Sequence, residues 1–336
     1  MTIAEIEAAC DTSQVLDFPR HDIEAPELKL KGTFCPYGFP TEVRTNSIEM
    51  LTQCEERWGV FEKRFDTEAI RVDVHVVEGD STECPPTPIY RMMRPLVMAV
   101  ADRDNYIVYD LKHNRTQVTI SRATEKHKLY LRYFFLDGLA SCHIGERYTK
   151  GVHAGCVALD GRGVLLCGDS GEGKSTLSYA CARAGWTYVT DDLCLLLNGG
   201  TPRMVIGNCH RVRFRPTAAN LFPELEGLEI TPRAAGQPSI EIPTSSMPHI
   251  ACSQEVRAEF MVFLNRRDGG PSELVPYRKD VARNFMRQQE LYVSEESVAA
   301  HNRSIEELLT VKVLELRYTD LDWAVERLTA LVREGR

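Results

Sequence analysis

The 336-residue chain holds eleven cysteines, yet no two stand in Cys-x-x-Cys spacing. That excludes a zinc ribbon and offers no compact disulfide framework. Basic residues are in deficit, 40 Lys and Arg against 48 Asp and Glu, for a formal charge of −8. Gripping a nucleic-acid backbone needs a net basic footprint, so no nucleic-acid partner is expected. No apolar run approaches the roughly 18 residues needed to cross a bilayer, so no membrane span is expected. The acidic start Met1-Thr2-Ile3-Ala4-Glu5 lacks the basic and apolar regions of a signal peptide, and a reducing cytoplasm is the expected compartment. Internal repeats and low-complexity tracts are also missing. With 43% hydrophobic residues the chain can bury a sizeable core, and its length suggests about two domains.

One stretch carries chemistry. Gly168-Asp169-Ser170-Gly171-Glu172-Gly173-Lys174-Ser175 satisfies every fixed position of the phosphate-binding pattern G-x-x-x-x-G-K-[ST]. The apolar run Gly163 to Cys167 before it reads as a buried strand. Residues Ser175 to Ala184 after it show helical spacing, and Gly185 stands where a C-terminal cap is expected. Strand, loop and helix therefore follow in the order that aims backbone N–H groups and a helix N-terminus at a polyphosphate. Gly168 through Thr176 are the expected nucleotide-binding residues, with Lys174 on the β/γ-phosphates and the Ser175 hydroxyl on Mg²⁺. ATP and Mg²⁺ are the expected cofactors. The bland alternative is a Gly-rich turn that happens to carry a Lys.

Beyond the helix, Trp186 to Thr190 and Leu193 to Leu197 read as strands flanking Asp191-Asp192. Two carboxylates at a strand edge beside the loop can divide the work of phosphoryl transfer: one holds the metal, the other accepts a hydroxyl proton. Sequence leaves open which does which, and a solvated Asp-Asp turn is the competing reading. The segment Arg203 to Arg215 follows, and alternation puts Arg211, Arg213 and Arg215 on one strand face. Arg213 is the candidate for stabilising charge on the transferring group, against a merely solvated basic face.

With His153 in Val152-His153-Ala154-Gly155-Cys156, the G-D-S-G-x-G-K-S loop and the Asp pair, residues Gly151 to Leu197 resemble the catalytic core of bacterial HPr kinase/phosphorylase. More distantly they resemble the nucleotide-binding core of phosphoenolpyruvate carboxykinase. The resemblance implies an α/β P-loop core of that type and a catalytic set of His153, Lys174, Asp191, Asp192 and Arg213. Ser175, Asp191 and Asp192 are then the metal candidates. The family's Glu-Ile-Arg-Gly-type segment, tied to phosphorylase activity, is absent; Cys209 to Pro216 stands in its place. The closer likeness is to the HPr-kinase-related proteins of bacteria, some resembling free-serine kinases and others kinases of lasso-type precursor peptides. The implied activity is transfer of a phosphoryl group from ATP to a hydroxyl, Ser being expected, on a protein, peptide or small molecule. A nucleotide-binding regulator with little turnover is the alternative. Self-association is left open.

Residues 1–125 are expected to form a small α+β domain and 126–336 the kinase-like domain. In the first, residues 1 to about 40 read as mostly irregular after a short amphipathic start, Ile48 to Phe61 as an amphipathic helix and Ile70 to Val77 as a half-buried strand. Glu78 to Pro88 reads as a loop, and Tyr106 to Leu111 with Gln117 to Ser121 as a hairpin. In the second, Lys128 to Ala140 reads as a buried helix leading into the core. Thr231 to Pro248, with four prolines, reads as a mobile loop near the site, and Phe260 to Leu264 as a central strand. Arg283 to Leu291, Ser304 to Leu309 and Leu321 to Val332 read as helices.

Overall fold

The computed structural model describes residues 2–12, 27–79, 82–93, 95–234, 236–287 and 295–335. It is a mixed α/β structure with three sheets. Part of the stretch expected to be irregular (13–26), part of the loop Glu78 to Pro88 (80–81) and the end of the helix Arg283 to Leu291 (288–291) lie outside the described residues.

The first sheet has seven strands, and Ile70–Val77 is central, paired in parallel with Thr41–Thr45 and Arg115–Ser121. Its alternation buries Val72, Val74 and Val76 on one face. Against that face the helix Ile48–Trp58 packs Met50, Cys54 and Trp58. The strand Leu30–Phe34 pairs with Thr41–Thr45 where irregular chain was expected. Its short Leu-Lys-Gly-Thr-Phe run has little intrinsic strand signal, and the ladder supplies what propensity does not.

The aromatic run behaves differently from its sequence reading. Helical turns continue from Lys128 to Arg147, with a π-helical section at Leu131–Asp137. Leu131, Phe134, Phe135, Leu136 and Leu139 join the core of the first sheet, so this helix packs on that sheet. Leu195 and Ile206 from the second sheet close the same core.

The second sheet has ten strands. The loop-feeding strand Arg162–Cys167 lies between Ala154–Leu159, antiparallel, and Glu255–Arg266, parallel. Helices Lys279–Arg287 and Glu295–Leu308 cover one face through Met286, Ile305 and Leu308. Helices Lys174–Arg183 and Leu321–Glu334 cover the other through Leu177, Leu328 and Leu331. Burial on both faces is why Gly163 to Cys167 reads as a continuous apolar run.

The third sheet overturns one expectation. Within Thr231 to Pro248, read as a mobile loop, Ser239–Pro243 is a strand that pairs antiparallel with Arg211–Phe214, and Ile230–Thr231 adds a third strand. Four prolines suggest a loop, but Pro238 and Pro243 only bracket the strand, and Ser-Ile-Glu-Ile between them has the period of two. Among the described residues no helix is long and apolar enough to cross a membrane.

Candidate active site

Residues 168–173 turn between the strand Arg162–Cys167 and the helix Lys174–Arg183. Gly171 and Gly173 adopt φ of 104° and 93°, a region that side chains resist. A Cβ on Gly173 would also lie 3.0 Å from the Tyr318 hydroxyl. Gly155 permits a different approach: a Cβ there would lie 2.6 Å from Ser178 Oγ, so the strand Ala154–Leu159 passes against the loop helix only because no side chain intervenes.

Lys174, 6% exposed, donates from Nζ to the carbonyls of Gly168 (2.8 Å) and Asp169 (3.0 Å). Burial pulls its pKa below the usual lysine value, against the opposing attraction of Asp192. The Ser175 hydroxyl, near the Asp191 carboxylate, works to lower its pKa. Asp191 accepts from the Tyr188 hydroxyl at 2.9 Å and from the Arg213 backbone N–H at 3.4 Å. Its carboxyl is pushed up to about 6, first by burial and then by the charge of Asp192. Asp192 goes the other way: its hydrogen bond with His153, Nδ1 to Oδ1 at 3.1 Å, holds it below the ordinary aspartate value. The Asp192 side chain is 53% exposed and that of His153 42%. Neighbouring carboxylates thus sit in opposite environments, one buried against the loop and one open to the solvent side.

His153, Ser170, Gly171, Gly173, Lys174, Ser175, Thr176, Asp191, Asp192 and Arg213 all line one cleft of about 700 Å³. Of the sequence-predicted residues, Gly168, Asp169 and Glu172 are not part of its wall; the first two hold Lys174 through their carbonyls. The expected arginine face divides. Arg211 and Arg213 share Glu241, whereas Arg215 reaches the loop and donates to Ser170 Oγ at 3.0 Å.

Sequence reasoning missed Arg233 and Arg266, which also line the cleft, and Glu241 and Arg132 behind it. Arg266 was within reach: it ends a strand parallel to the loop-feeding one, so it emerges at the same edge. Glu241 was hidden in the proline-rich stretch. No signal marked Arg132, one cation among aromatic and aliphatic residues of a helix.

Hard oxygen donors, the Ser175 hydroxyl and the carboxylates of Asp191 and Asp192, suit Mg²⁺ in kind. Among the described residues no group of three or more His, Cys, Asp or Glu forms a metal cage. A cage is not what Mg²⁺ needs, since one or two carboxylates with nucleotide phosphates suffice.

No protein-family model matches the chain, and no curated protein does. Among solved structures it is similar to the HPr(Ser) kinase/phosphatase from Coxiella burnetii, at 18% identity over 56% of this chain and 96% of that one, with a TM-score of 0.30. This marks a distant structural relationship.

Proposed function

We propose that the chain is an ATP- and Mg²⁺-dependent kinase with an HPr-kinase-like core, transferring a phosphoryl group to a hydroxyl, with Ser as the expected acceptor. The observation that supports this reading is the single cleft joining the loop lysine and hydroxyl to two carboxylates of opposite character. The loop amides and Lys174 cradle the phosphates. Ser175 and Asp191, both lining the cleft, would hold Mg²⁺, which neutralises phosphate charge when bound. Asp192, open to an incoming acceptor and backed by His153, takes the acceptor proton. As the acceptor oxygen bonds to the γ-phosphorus, the bond to the β–γ bridging oxygen breaks and ADP leaves. Arg213 faces the charge that spreads over the transferring group.

A second reading, a nucleotide-binding regulator, is favoured by one feature: Lys174 is engaged by carbonyls of its own loop. Two measurements decide. At a hundredfold excess over Kd, MgATP stabilises the fold by about 2.7 kcal/mol, and Lys174→Ala is expected to remove most of that melting shift. A melting curve indifferent to millimolar MgATP in the parent would sink both readings. Labelled ATP incubated with the protein and a lysate of its source then separates kinase from regulator by whether any species is phosphorylated.

A further inference from the structure

Behind the cleft three arginines converge on one carboxylate. Glu241 Oε1 accepts from Arg213 Nε at 3.1 Å; Oε2 accepts from Arg211 at 2.9 Å and from Arg132 at 3.1 Å. The Glu241 side chain is 11% exposed. Arg211, Arg213 and Glu241 belong to the paired strands of the third sheet, but Arg132 lies on the helix packed against the first.

We infer that Glu241 is a positioning residue that aims Arg213 into the cleft, and that the first sheet's unit takes part in the reaction by holding Glu241 through Arg132. This rests on the kinase reading. Arg213 is fixed at two points, its backbone N–H on Asp191 and its Nε on Glu241, and its two terminal nitrogens have no protein hydrogen bond among the described residues. A guanidinium tied by Nε presents its fork to an anion. Strand neighbours hold both Glu241 oxygens, Arg213 the first and Arg211 the second; Arg132, approaching from the other unit, adds a second donor to Oε2 and ties the pair of strands to the first sheet's helix.

The charges point the same way. The four side chains alone carry three positive charges and one negative, with Asp137 beside Arg132 and Asp191 and Asp192 beside Arg213, and burial and the nearby Arg57 make Arg132 costly to keep charged. Apolar residues would fill such a place at less cost if packing were its only purpose. A transferring phosphoryl group would meet the two Arg213 nitrogens that Glu241 leaves free.

The test needs no acceptor. Affinities for MgADP and for MgADP with aluminium fluoride, a mimic of the transferring group, are measured by calorimetry on the full chain and on Arg132→Gln and Glu241→Gln. Arg132 does not line the cleft, so Arg132→Gln serves even where Glu241→Gln folds poorly. The expected result is MgADP affinity within about twofold of the parent and a preference for the fluoride complex reduced about tenfold, the size of one lost charge-assisted contact. Arg132→Lys is expected to restore part of it. A merely structural role would lower the melting temperature and leave the ratio of the two affinities alone, which overturns the inference. A parent that binds MgADP without any preference for the fluoride complex also overturns it, and leaves nucleotide binding standing. A parent that binds neither overturns the kinase reading with it.

Discussion

Asp191→Asn should stabilise the nucleotide-free protein while disabling it. The carboxyl is 6% exposed, and its rise from the ordinary 3.8 to about 6 corresponds to about 3 kcal/mol disfavouring the ionised form in the fold. A raised carboxyl contributes its stability below the unfolded pKa and loses it as pH climbs through the folded value, so the penalty develops between pH 3.8 and about 6 and is complete by pH 8. Asparagine cannot ionise and escapes it. Against this, the amide can accept from Tyr188 as the acid does, but its NH₂ faces the Arg213 N–H where Oδ2 accepted, a mismatch costing about 1 kcal/mol. The net gain at pH 8 is about 1–2 kcal/mol. For 336 residues, at about 2.1 cal/mol/K each, that is a rise of about 1–3 °C in Tm. Melting curves of parent and variant without nucleotide, at pH 5 and pH 8, make the comparison. The gap between them should widen by about 1.5 kcal/mol over that interval. A gap equal at both values would refute the argument, because the titration and not the shape of the side chain carries it. In the same samples Asp191→Asn should lose the Mg²⁺-dependent part of ATP affinity, and in the parent that part should weaken as pH falls below about 6, where the carboxyl is protonated.

Asp192→Asn is expected to abolish transfer to a competent acceptor and keep MgATP affinity within a few fold, since a base acts in the transition state and hardly on ground-state binding; equal losses in binding and turnover would move the metal to Asp192. His153→Ala should lower the rate by roughly 10²-fold with nucleotide titration nearly unchanged, and a full-rate variant would leave the Asp192 contact without a catalytic role. Gly155→Ala should destabilise the fold by about 1–3 kcal/mol in urea unfolding, because its Cβ meets the buried Ser178 Oγ at 2.6 Å; a neutral result would mean that the loop helix gives way more easily than its packing indicates.

What could be read from the chain alone was whatever local chemistry forces. Gly-x-x-x-x-Gly-Lys-Ser between an apolar run and a helical one needs positive φ at its glycines and a strand and helix at its ends, and the structure has both. Ile70 to Val77 alternates because one face is buried, and that face packs the first core. Sequence could also name His153, Lys174, Ser175, Asp191, Asp192 and Arg213 as candidates, because each type is scarce in chemistry and plain in spelling. It could not say that the two aspartates differ. Their neighbours in sequence are nearly the same, and only the packing that buries Asp191 beside the charge of Asp192, against the hydrogen bond from Tyr188, and the contact of Asp192 with His153 set one up and the other down. Nor could it find Glu241, where two prolines hide a strand, or Arg132, which reaches the site from a helix packed on a different sheet. Such a contact joins positions 109 apart in the chain, and no short-range pattern records it. Local conformation follows from the residues at hand; the protonation of a buried carboxylate and the aim of an arginine depend on what long-range packing brings against them.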